Sequence, residues 1–192
     1  MRTEVETQVN IQLGRRNRLT TFFRGILAIP ALIIVSLLVP SIEGSGPLPI
    51  IIAFSIVFFT SYPAWLIAFS HGMLEFASKT NAYFLLLTDN YPNFSASNEV
   101  KVFFPDIAEG KLLNRWLPLV KWLLAIPHYI VIFIATPGIF AVALFNWFVI
   151  LFTGNYSGAG SKFTLGYISY VNRVAGYAFA MVTDSYPRII TK

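Results

Sequence analysis

The chain has 192 residues, of which 56% are apolar, 16% aromatic and only 12% charged, with a mean hydropathy of +0.65. Soluble domains carry about a quarter charged residues, so half that share points to lipid as the solvent. No cysteine is present, which excludes disulfides, thiolate metal sites, cysteine nucleophiles and c-type haem attachment; the net charge of +5 comes from basic residues beside apolar segments, the pattern of a cytoplasmic membrane face rather than of a nucleic-acid-binding surface.

The opening "MRTEVETQVNIQLGRRNR" holds acidic residues and no early apolar run, so it does not read as a secretory signal. Residues 4–13 alternate, with Val5, Thr7, Val9, Ile11 and Leu13 on one face and Glu4, Glu6, Gln8, Asn10 and Gln12 on the other, which predicts a half-buried strand. Apolar segments at about 22–39 and 48–62 follow, separated by the breaker "PSIEGSGP" (40–47). In 65–79, His71, Glu75 and Lys79 recur at helical spacing, a polar stripe that predicts an interfacial helix with the stripe toward water. "TDNYP" (88–92) then ends the helix: Pro92 disfavours helix at Tyr91, Asp89 suits a turn, and Tyr91 suits a membrane–water boundary.

The same order recurs. "NEVKVFF" (98–104) alternates through Val100 and Val102. Apolar segments at about 117–135 and 138–153 flank the breaker "TPG" (136–138). A helix carries Lys162, Gly166, Ser169, Arg173 and Gly176 among aromatics, and "TDSYP" (183–187) closes it with Asp184 and Tyr186. Three aligned blocks support an internal repeat. "RNRLTTFFRGILAIP" (16–30) lies on "LNRWLPLVKWLLAIP" (113–127) at a shift of 97. Phe59-Thr60 lies on Phe152-Thr153 at 93, and the two Thr-Asp-x-Tyr-Pro stretches lie 95 apart.

The expected fold is therefore a mainly α membrane protein: a strand, a two-span hairpin and an interfacial amphipathic helix, duplicated as residues 1–95 and 96–192. That gives four transmembrane helices and a small cytoplasmic β element. Two crossings per copy place every Lys and Arg on one side, in the bacterial cytoplasm, with both termini there and only Glu43 opposite. A 16-residue segment spans only about 24 Å, short of a hydrocarbon core, so re-entrant hairpins stay open.

The stretches "RWLPLVKWLLAIPHYIVIF", "ILFTGNYSGAGSKF" and "NRVAGYAFAMVTDSYP" resemble the bacterial membrane family known as domain of unknown function 4389. The resemblance covers about 99–190, while residues 5–95 are a degenerate relative with Ala31 where the second copy has His128. It implies a multi-span membrane protein with a cytoplasmic β element, and carries no activity or catalytic residues.

No residue set spells a reaction. "GNYSGAG" (154–160) is Gly-rich but lacks a Walker lysine. His71 and His128 sit on unlike elements, which disfavours bis-His haem, and no cofactor or metal is expected. Arg18, Arg24, Arg115 and Lys121 read as snorkelling topology signals or as anionic-lipid contacts. Asp89, Tyr91, Asp184 and Tyr186 read as turns, or as a paired-Asp site. His128 and Asn146 lie equally far from Pro137. In a hairpin that means equal depth and predicts a hydrogen bond between them, against a competing bond from His128 to the carbonyl near Leu123 or Leu124 that Pro127 leaves without a donor.

The expected function is a non-catalytic integral membrane protein, accessory or scaffold to a membrane complex or binding anionic lipid. A small transporter or channel and a lipid-modifying enzyme are the alternatives. The expected partners are membrane lipids and a larger membrane complex, not nucleic acid.

Overall fold

The amino-terminal alternation forms a strand, β1 (Glu6–Val9), paired antiparallel with β2 (Val100–Phe103). The computed structural model describes residues 3–14, 16–39, 47–95 and 99–189. Seven α-helices accompany the two-stranded sheet among these residues: α1 (Arg18–Phe22), α2 (Arg24–Leu38), α3 (Leu48–Phe59), α4 (Ala64–Phe84), α5 (Pro118–Leu124), α6 (Ile126–Thr153) and α7 (Ser161–Ala178). The chain is thus mainly helical with a small sheet. Most of the expected connector 40–47, including Glu43, lies outside the described residues, as does Arg15.

The register sets Thr7 opposite Val102, two residues 95 positions apart. Strands and helices interlock across the two halves. β1 packs on α7 and β2 packs on α4, so each half supplies the strand that covers the other half's helix. α7 and α4 also meet directly, where Asn172 Nδ2 donates to Ser78 Oγ and to Thr7 Oγ1, both at 2.8 Å. The contact of β1 with α7 is close enough to require glycine: a Cβ on Gly176 would lie 2.3 Å from Val5 Cγ2. α4 also packs on α2 and α7 on α6, so the two helices that carry the sheet each hold an apolar helix as well.

α4 and α7 are therefore not the surface helices that their polar stripes suggest. His71 Nε2 lies 2.6 Å from the Val102 carbonyl, Lys79 pairs with Glu75 at 2.9 Å, and Lys79 Nζ donates to Ser95 O at 2.7 Å. The stripe meets the sheet and the 93–95 loop rather than water. Periodicity finds such a polar line but does not say what covers it.

A second correction concerns residues 136–138. α6 runs unbroken through Thr136-Pro137-Gly138 for 28 residues, about 42 Å, so the expected breaker is no turn and the second half has no two-span hairpin. A proline in a helix removes one backbone bond and disturbs the preceding turn. Pro137 leaves the Phe133 carbonyl without its helical donor; one residue earlier Thr136 Oγ1 donates to Ile132 O at 2.7 Å and lies 3.0 Å from the Tyr167 hydroxyl, which ties this turn to α7. Among the described residues α6 is the one helix long and apolar enough to cross a membrane, and four spans are not what the fold displays.

Candidate functional site: two ion-paired clusters

Each Thr-Asp-x-Tyr-Pro stretch follows the end of a helix, α4 at Phe84 and α7 at Ala178, and its proline keeps the preceding tyrosine out of helix. The intervening loops carry left-handed non-glycine residues at matching places, Leu86 (φ 67°) and Met181 (φ 53°). These tight loops aim the two aspartates inward, each at the start of an apolar segment from the chain's same half.

In the first cluster Asp89 accepts from the Asn17 N–H at 3.0 Å and pairs with Arg16 Nη1 at 2.9 Å and with Arg24 Nη2. Arg24 Nη1 also donates to Thr88 O at 2.9 Å, and its guanidinium lies 4.5 Å from the Tyr83 ring centroid. Tyr83 meets Tyr91 edge-on at 5.6 Å. Arg16 and Arg24 are buried, and such cations persist only when paired and hydrogen-bonded. Burial pushes the Asp89 carboxyl up, but the Asn17 N–H, the Arg24 hydrogen bond and both guanidinium charges outweigh it and hold it below the usual carboxylate range. Burial lowers Arg16, with Asp89 opposing and Arg24 adding to the effect.

The second cluster repeats these contacts. Asp184 accepts from the Asn114 N–H at 2.6 Å and pairs with Lys121 Nζ at 2.7 Å. Lys121 Nζ donates to Thr183 O at 2.8 Å and lies 5.4 Å from the Tyr177 ring. Tyr177 meets Tyr186 edge-on at 5.8 Å. The Thr88 and Thr183 hydroxyls each accept the N–H two residues on, from Asn90 at 3.2 Å and Ser185 at 3.1 Å. Asn17 Oδ1 caps α1 by accepting from Leu19 and Thr20, and Asn114 Oδ1 accepts from Trp116. The one unmatched member is Arg16, whose position corresponds to Leu113. Two cations share one carboxylate in the first cluster, whereas the second is a one-to-one pair.

Arg24 and Lys121 are thus spent inside the protein and are not surface lipid contacts. Arg18 and Arg115 are exposed, and each lies at a helix carboxyl end. A Cβ on Gly154, the α6 cap, would sit 3.3 Å from Arg18 Nε, and Arg115 Nε donates to Val57 O at 2.6 Å in the last turn of α3. A cation there complements the helix dipole.

The expected pair of His128 and Asn146 does not form. With no turn at Pro137, they lie on one continuous helix 18 residues apart, about 27 Å. His128 Nδ1 lies 2.5 Å from the Tyr170 hydroxyl, and its ring is 4.5 Å from that of Tyr186. The Leu124 carbonyl near Pro127 is taken by the Tyr186 hydroxyl at 3.1 Å rather than by His128. Asn146 Nδ2 donates to Val142 O and Ala159 O, and Ser157 Oγ donates to Asn146 Oδ1 at 2.7 Å. Asn146 thus pins the "GNYSGAG" loop to α6. Tyr83, Tyr170, Tyr177 and the pairing role of Arg16 were not legible as site residues. The matched offsets of the Asn-Arg and Thr-Asp blocks were the available signal that those blocks face each other.

The fold and these contacts define a mainly helical protein built around two internally ion-paired polar clusters, with an apolar helix of membrane-crossing length. Residues 116–190 match the profile of the family described as domain of unknown function (DUF4389), a stretch that runs from Trp116 through α7 to Asp184 and Tyr186 of the second cluster. No curated protein and no solved structure matches the chain.

Proposed function

We propose that the chain is a non-catalytic membrane protein of the bacterial cytoplasmic membrane, a duplicated module serving as an accessory or scaffold subunit or as a holder of anionic lipid. The observation that carries this reading is how the charges are used. Arg16, Arg24, Asp89, Lys121 and Asp184 close on one another, while the outward faces of α2, α3 and α6 carry large apolar side chains, among them Ile33, Phe58, Phe133 (79% exposed) and Phe148. A contiguous apolar surface of this kind marks lipid or a partner protein. α6 is mostly uncovered by the rest of the chain, unlike the core helix of a soluble domain. Matched contacts in the two clusters, offset by about 95 residues, favour the duplication. Among the basic residues left at the surface, Arg18 and Arg115 suit a cytoplasmic leaflet bearing anionic headgroups.

A transporter or channel is disfavoured because His128 and Asn146 are engaged by Tyr170 and by the 157–159 loop rather than lining a path. Two measurements test the reading. After alkaline-carbonate extraction the chain stays in the membrane pellet, and affinity purification from native membranes brings down a stoichiometric protein partner or anionic phospholipid. Release into the supernatant would sink the membrane assignment. Loss of cellular function in D89N or D184N proteins that express and melt like the wild type would shift the reading to a lipid-modifying enzyme.

A further inference from the structure

α6 is long enough to cross a bilayer, yet both its ends are tied to one polar frame. At the amino end the Leu124 carbonyl accepts from Tyr186, Lys121 pairs with Asp184, and the neighbouring Thr183 Oγ1 donates to Thr3 O at 2.6 Å. At the carboxyl end Gly154 O accepts the Arg16 N–H, Leu13 O accepts the Tyr156 N–H at 2.9 Å, and the Gln12 N–H donates to Leu87 O at 3.0 Å. The strand segment from Thr3 to Gln12 therefore links one end of α6 to the other. At about 3.4 Å per residue it spans roughly 31 Å, the scale of the helix itself. The sheet packs on α4 and α7, whereas α6 packs chiefly on α7, α1 and α5.

If α6 crossed the hydrocarbon, the sheet tying its ends together would cross as well. A two-stranded sheet has open edges whose backbone groups find no partner in lipid. Exposed Glu6 and Lys101, one on each strand of this sheet, would then sit within the hydrocarbon, where such charges are costly. The first half is tied in the same way. α2 starts at the first cluster through Arg24, and α3 ends beside the second, where Arg115 holds the Val57 carbonyl and the Tyr62 N–H donates to Glu109 O.

We propose that α6 does not span the membrane but lies along it within one leaflet, its apolar face toward acyl chains and the sheet in water. This rests on the membrane reading above and replaces a crossing by a one-sided anchor. The occupant of the exposed face is lipid. Trp116 and Trp122 stand exposed at the amino end and Phe22 at the carboxyl end, with Arg115 and Arg18 beside them, the amphipathic rim that an interfacial helix presents to headgroups.

The natural absence of cysteine makes the test direct. Single cysteines at exposed Leu112, Lys162 and Phe133 are treated with a membrane-impermeant maleimide in intact cells and in inverted membrane vesicles. Leu112→Cys and Lys162→Cys flank α6 and should react in the same preparation, and neither in the other. Phe133→Cys should react in neither, and a fluorophore attached there should be quenched by brominated phospholipid added to the vesicles. Labelling of 112 and 162 from opposite sides would overturn the proposal, as would strong labelling of 133. Absence of bromolipid quenching would show that a second copy or another protein covers the face, and would also overturn it. Carbonate release of the chain sinks the membrane assignment itself, whereas opposite-side labelling of a retained chain sinks only the one-leaflet placement.

Discussion

Removing Asp184 should cost more than any surface substitution, because it strands a cation. Lys121 is fully buried, and its ammonium has one carboxylate partner at 2.7 Å, one carbonyl at 2.8 Å and one aromatic face. Deleting one member of a buried pair costs about 3–5 kcal/mol, because the other charge is left uncompensated. The Asp184 side chain is 28% exposed, so water can replace part of its contribution and D184A should sit near the lower end, about 3 kcal/mol. For a chain of this size that is a fall in Tm of roughly 6–12 °C. K121M/D184N removes both charges while keeping most of the volume, and such replacements are often neutral. It should melt within about 1 kcal/mol of the wild type. The assay is thermal unfolding of the four purified proteins of the K121M and D184N cycle in one detergent, with D184A alongside, read by circular dichroism. A D184A protein melting within about 2 °C of the wild type would refute the reasoning. So would a cycle with no coupling energy, because the pair would then be a surface contact in effect.

Gly176→Ala places a methyl 2.3 Å from Val5 Cγ2 and should cost about 1–3 kcal/mol by overpacking, with much of the loss recovered in G176A/V5A; an additive double variant would argue against the close strand–helix contact. Because the folded Asp89 carboxyl is held below its ordinary range, its contribution is fully present above that range and is lost as pH falls through the lowered value. Acid unfolding of wild type against D89N should therefore converge at low pH and diverge toward neutrality, and parallel curves would contradict the cluster. Residues 1–95 and 99–192 expressed as separate chains should purify together through a tag on either one, since β1 lies on α7 and β2 on α4. Recovery of the tagged half alone would show that the interlocking is dispensable.

What the sequence reveals follows from the range of the interaction involved. The strands at 4–13 and 98–104 were legible because period-two alternation is a local pattern, and so was the absence of helix at Tyr91 and Tyr186, which the following proline disfavours. The continuity of α6 was not legible. "TPG" is a breaker by propensity, whereas the packing that accompanies the helix through it, Thr136 against Tyr167, comes from 31 residues away on another helix. The His128–Asn146 expectation failed with that turn, since equal depth was inferred from a hairpin that the chain does not make. The stripe of His71, Glu75 and Lys79 was read as facing water because nothing local says that β2 will cover it. Arg24 and Lys121 showed as basic residues beside apolar runs, which snorkelling explains equally well. Only the fold shows that Asp89 and Asp184 come back to them, some 65 residues later in each half.

In the proposed placement lipid covers the outer helices while the sheet faces water. Spin labels at Phe133, Phe148, Glu6 and Lys101, in protein reconstituted into bilayers, test it through relaxation by oxygen and by a water-soluble nickel chelate. Labels at 133 and 148 should relax with oxygen and be shielded from nickel, with the reverse at 6 and 101. Labels at 133 and 148 as open to nickel as the label at 6 would contradict the account.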